Sequence, residues 1–62
     1  MTYEEAKKAF DRREPVLYRD IEYRHINAII FRRYGAEKIT QLELQDIDAN
    51  SVTVADMEKV MA

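Results

Sequence analysis

Few residues in this chain have the type and spacing to do chemistry. His25 is the only histidine and there is no cysteine, so a histidine-pair metal site, a thiolate site and a disulfide are all excluded. His25 beside Glu22 or Asp20 has the makings of a lone general base. The structural alternative, a strand or bulge side chain hydrogen-bonded locally, accounts for it better. Asp46-Ile47-Asp48-Ala49-Asn50 opens like a D-x-D-x-N calcium loop. Ser51 replaces the sixth-position glycine, however, and Met57 replaces the bidentate glutamate at the twelfth. A polar turn between strands is the expected role. Ser51 lacks a nucleophile elbow, and no glycine-rich phosphate loop is present. Catalysis needs a rigid constellation or a metal, so the sequence predicts a non-enzymatic protein without a cofactor or metal.

Two surfaces carry more promise. Arg24, Arg32 and Arg33 with Tyr18, Tyr23 and Tyr34 combine cations and aromatic rings as binders of single-stranded nucleic acid do. In a meander this strand lies beside the one bearing Glu43 and Asp46, and cross-strand pairing of opposite charges would neutralise it. The other surface, Tyr3, Phe10, Ile29 and Phe31, is apolar. It serves helix-on-sheet packing, a protein partner or a second copy of the chain. Met57 and Met61 near the C-terminus add adaptable contact area.

The elements that must position these residues centre on Ile21 to Tyr34, rich in β-branched and aromatic residues. Alternate strand residues share a face, and the apolar set changes parity across Arg24-His25. Ile21 and Tyr23 lie on one phase; Ile26, Ala28 and Ile30 lie on the other and are expected inward. A bulge there would bend the strand and restore the phase; a short break is the alternative. Ile29 and Phe31 then face the opposite side, which needs a cover.

The N-terminal helix is the nearest cover. Thr2 and Glu5 have capping-box spacing, the acidic and basic residues suit the helix ends, and Tyr3, Ala6, Ala9 and Phe10 form an apolar stripe. Pro15 ends the helix. Val16–Tyr18 begins a hairpin through Arg19-Asp20, a turn without glycine. Beyond the Gly35-Ala36-Glu37-Lys38 loop, Ile39 to Ile47 alternates as a half-buried strand. Val52-Thr53-Val54 follows as a strand, then a one-turn helix capped by Asp56, then space for a last short strand at Val60-Met61.

The fold class expected is α+β, mostly β. Residues 1–13 form a helix and residues 16–62 a small antiparallel meander, all in one domain spanning 1–62. An SH3-like barrel is favoured over an open three- to four-stranded sheet because of the single helical turn between the last two strands. Sixty-two residues bury only about 60% of the unfolded surface, so added stability from association is credible.

Net charge is −2, from 10 basic and 12 acidic residues. Residues 16–38 hold five basic and three acidic residues, whereas residues 39–62 hold one basic and five acidic. A dedicated nucleic-acid binder is usually basic overall, which makes this the secondary reading. No apolar run is long enough for a membrane span or signal core, so a soluble cytoplasmic protein is expected.

The runs Tyr18 to Arg33, Ile39 to Asp46 and Ser51 to Asp56 resemble the short uncharacterised proteins of Gram-positive prophages and conjugative elements. The shared motifs make a fold and carry no chemistry. The resemblance implies an accessory protein of a mobile element that acts by contact, binding a protein partner or itself.

Overall fold

The computed structural model describes residues 1–62. Helix α1 (Tyr3–Arg12) precedes strands β1 (Val16–Tyr18), β2 (Ile21–Tyr23), β3 (Ile26–Tyr34), β4 (Glu37–Gln45) and β5 (Val52–Asp56), then a single 3₁₀ turn (Met57–Lys59). No helix is long and apolar enough to cross a membrane.

Local chemistry explains most element boundaries. The Thr2 hydroxyl accepts from the Glu5 N–H while Glu5 Oε1 accepts from the Thr2 N–H at 2.8 Å, completing the capping box. Arg13 ends α1 in the left-handed region, its N–H turned back to Ala9 and Phe10. The β1–β2 hairpin closes through Arg19 and Asp20, with Tyr18 opposite Ile21. Both turn residues have positive φ, 54° and 63°, the I′ arrangement that matches strand twist. Gly35, at φ 60°, leads a two-residue turn between Tyr34 and Glu37, shorter than the four-residue loop expected from sequence.

The barrel expected from the element order is not formed. The strands make two separate antiparallel sheets, β1-β2 and β3-β4-β5. Between β2 and β3 the chain breaks at Arg24-His25. The C-terminal residues meet β1 through one bridge, Leu17 with Met61, in place of a last strand. Closure needs consistent tilt and register all round the ring; here the Arg24 and His25 backbones bond only that of Gln45, and no ladder joins the two sheets. The extents of 37 × 22 × 19 Å are those of an elongated molecule built on an open sheet.

The phase of the long strand also differs from expectation. A bulge does occur, but between Ile26 and Ala28, in addition to the break at Arg24-His25. Directly opposed residues share a face. Ile26 opposes Leu44, Ile29 opposes Leu42 and Phe31 opposes Thr40, so these form the helix-covered side. Ala28, Ile30 and Arg32 oppose Glu43, Gln41 and Ile39 on the outer side. Of the three residues expected inward, Ile26 is buried, while Ala28 and Ile30 lie on the outer face.

The core lies between α1, the inner sheet face, the β1–β2 hairpin and the C-terminal residues. It comprises Ala6, Ala9, Val16, Tyr23, Ile26, Leu42, Leu44, Ala55 and Val60. Two alanines on the buried stripe let α1 approach the sheet closely. The N-terminal amine donates to the Met57 and Val60 carbonyls at 3.1 and 2.8 Å, tying the helix to the 3₁₀ turn. Asp56 precedes that turn without capping it; its carboxylate is engaged by Gln41 instead.

Candidate functional site

The apolar set Tyr3, Phe10, Ile29 and Phe31 gathers around the contact of α1 with β3. Tyr3 and Phe10 sit seven residues apart on the same side of α1 as Ala6. Ile29 and Phe31 lie beneath on the inner sheet face. Ile29 packs on the core, whereas Phe31 is 68% exposed, Tyr3 44% and Phe10 38%. The Tyr3 and Phe31 rings are 5.9 Å apart and tilted by 49°, an aromatic pair in a favourable range. One of the four is thus a packing residue, and three rim the helix–sheet contact.

The Arg/Tyr set is dispersed. Tyr23 is buried and Tyr18 half-buried. Their rings lie 6.5 Å apart at the hairpin end, and the Arg19 guanidinium sits over Tyr18. Arg24 donates to the Ile47 carbonyl at 2.9 Å. Arg32, Arg33 and Tyr34 stand at the far end of β3, and Arg32 and Arg33 point to opposite faces because they are consecutive strand residues.

The expected pairing with Glu43 and Asp46 is absent, because Glu43 lies opposite Ala28, Arg32 opposite Ile39 and Arg33 opposite Lys38. Lys7–Asp11 is the single ion pair of the chain. Asp46 accepts hydrogen bonds from the Ser51 and Thr53 hydroxyls, which pins the D-x-D-x-N stretch as a turn. His25 Nε2 lies 3.4 Å from an Arg13 guanidinium nitrogen and makes no ion pair with Glu22 or Asp20.

A feature that sequence reasoning missed is the outer sheet face. Val52 and Val54, both exposed, lie there with Ala28, Ile30 and Ile39. Across it, Arg32 Nε donates to Gln41 Oε1 at 2.7 Å, and Gln41 Nε2 donates to Asp56 Oδ1 at 3.1 Å. The alternation of Val52 and Val54 with Thr53 and Ala55 was the available signal. It points to a strand with apolar residues on both faces.

Glu5 titrates below its ordinary range. The Thr2 backbone N–H, then the Thr2 hydroxyl, hold it below 4.5, which reflects the helix cap. No protein-family model, curated protein or solved structure matches the chain.

Proposed function

We propose that this protein is a non-enzymatic interaction module, a cytoplasmic accessory of a mobile element, that binds a protein partner through the Tyr3–Phe10–Phe31 rim. The observation that carries this reading is Phe31, 68% exposed, in tilted ring contact with Tyr3, which is itself 44% exposed. Rigid aromatic side chains contribute large contact area at low entropic cost, and a clustered exposed patch marks an interaction surface. Phe31→Ser and Tyr3→Ser test it in affinity capture from the host, beside light scattering of the free protein. Partner loss in both variants, with circular dichroism unchanged, supports the rim. Capture unchanged by both substitutions removes it.

A second reading, nucleic-acid binding, is favoured by the lack of acidic partners for Arg32 and Arg33. It would use these arginines with Tyr34 at the tip of the β3–β4 hairpin, without the buried Tyr23. Fluorescence anisotropy against single- and double-stranded oligonucleotides decides it; no binding at low salt, where the phosphate contribution is greatest, excludes it.

A further inference from the structure

Both outer edges of the three-stranded sheet are open. β3 and β5 each pair only with β4, and no backbone hydrogen bond outside the ladders involves residues 27–34 or 52–56. Outward amides and carbonyls on such edges are satisfied by water or by another strand. β3 has no proline or lysine to guard it, its only charges, Arg32 and Arg33, stand at one end, and it carries apolar residues on both faces.

The two edges differ in charge. The hydrogen-bond chain Arg32–Gln41–Asp56 crosses the outer face with its cation on the β3 edge and its anion on the β5 edge. Neither end has an ion-pair partner within the chain. We infer that copies of this protein associate head to tail, the β3 edge of one joining the β5 edge of the next. β3 and β5 are both antiparallel to β4, so the new pair is parallel. A register that sets Arg32 against the next copy's Asp56 also sets Ile30 against Val54 and Ala28 against Val52, all on the outer face. A two-fold β3–β3 contact offers Arg32 no acidic partner, since β3 carries no carboxylate; the head-to-tail contact pairs opposite charges. It closes into a ring or continues as a filament, according to the rotation between copies. It uses strand edges and the outer face, so it stands apart from the aromatic rim.

Multi-angle light scattering of the full chain, from micromolar to millimolar concentration, tests this. Wild type associates with rising concentration and dissociates with salt. Arg32→Asp and Asp56→Arg each raise the concentration needed by about tenfold or more, since juxtaposed like charges are strongly unfavourable. The double variant R32D/D56R, which only reverses the order of charges, returns it to within about threefold of wild type. Amide exchange slows in residues 28–32 and 52–56 as association proceeds. A wild type monomeric at millimolar concentration overturns the inference. So does a folded double variant as dissociated as the single ones, or an assembly dispersed by Phe31→Ser but not by Arg32→Asp.

Discussion

The Tyr3 ring meets the Phe31 ring at 5.9 Å, joining the first turn of α1 to the middle of β3 across the margin of the core. Both rings are accessible to solvent, so the pair closes the helix–sheet contact and still presents a surface.

Replacing Phe31 with alanine should therefore separate binding from stability. An aromatic pair contributes about 0.5–1.5 kcal/mol beyond burial, and most of this ring is already in water. Urea denaturation should show a loss of about 1 kcal/mol, with the variant still folded. Unfolding of Phe31→Ala at room temperature would mean that the ring is a core residue.

Leu42 and Leu44 should behave in the opposite way. Both are fully buried on the central strand, and truncating such a leucine to alanine costs about 2–5 kcal/mol. A domain of this size holds about 3–5 kcal/mol in total. Either alanine variant should be largely unfolded by circular dichroism at 25 °C. A cooperative melt close to that of wild type would show that the core lies elsewhere.

The β1–β2 turn is a site for gain. Arg19 and Asp20 occupy positive φ; Arg19 disfavours it by about 1–2 kcal/mol, Asp20 by less. Substituting Asn at 19 and Gly at 20, the residue pair preferred in I′ turns, should raise stability by about 1 kcal/mol and the melting temperature by several degrees. A lower melting temperature would show that Arg19, stacked over Tyr18, contributes more than its backbone costs.

The helix cap predicts a pH dependence. Glu5 has its folded pKa below the ordinary 4.5 through the Thr2 N–H and hydroxyl. A depressed carboxyl contributes stability above its unfolded pKa and loses it as pH falls through the folded value. Thermal melts at decreasing pH below 4.5 should show this loss in wild type. Glu5→Gln retains an acceptor for Thr2 without a titrating group, so its profile should be flatter. Thr2→Ala should cost about 1 kcal/mol at neutral pH. Superimposable wild-type and Glu5→Gln profiles would leave the capping carboxylate without a titrating role.

Local features were legible in the sequence because the residues that make them are neighbours. The Thr2/Glu5 box and the Arg19-Asp20 turn occur where residue type and spacing place them, and the 3₁₀ turn falls at Met57–Lys59 as expected though Asp56 does not cap it. The phase of β3 was not legible. The break at Arg24-His25 and the bulge after Ile26 lie within four residues of one another, and isoleucines fall on both faces, so alternation could not count the interruptions. The misreading of the site was separate. Glu43 lies opposite Ala28, four residues before Arg32, a distance along the strand that no one-residue shift bridges, so the arginines lack the acidic neighbours expected. Barrel closure likewise depended on pairing between distant segments, which periodicity does not encode.

Gln41 gives the outer surface a direction. A side-chain amide accepts at one end and donates at the other, and this one accepts from Arg32 while donating to Asp56. The sheet therefore has a distinguishable left and right, as a magnet has poles. A glutamate in its place would have nothing to donate to Asp56, and a lysine nothing with which to accept from Arg32. An uncharged amide at the centre is the residue that lets cation and anion occupy opposite margins of one small sheet.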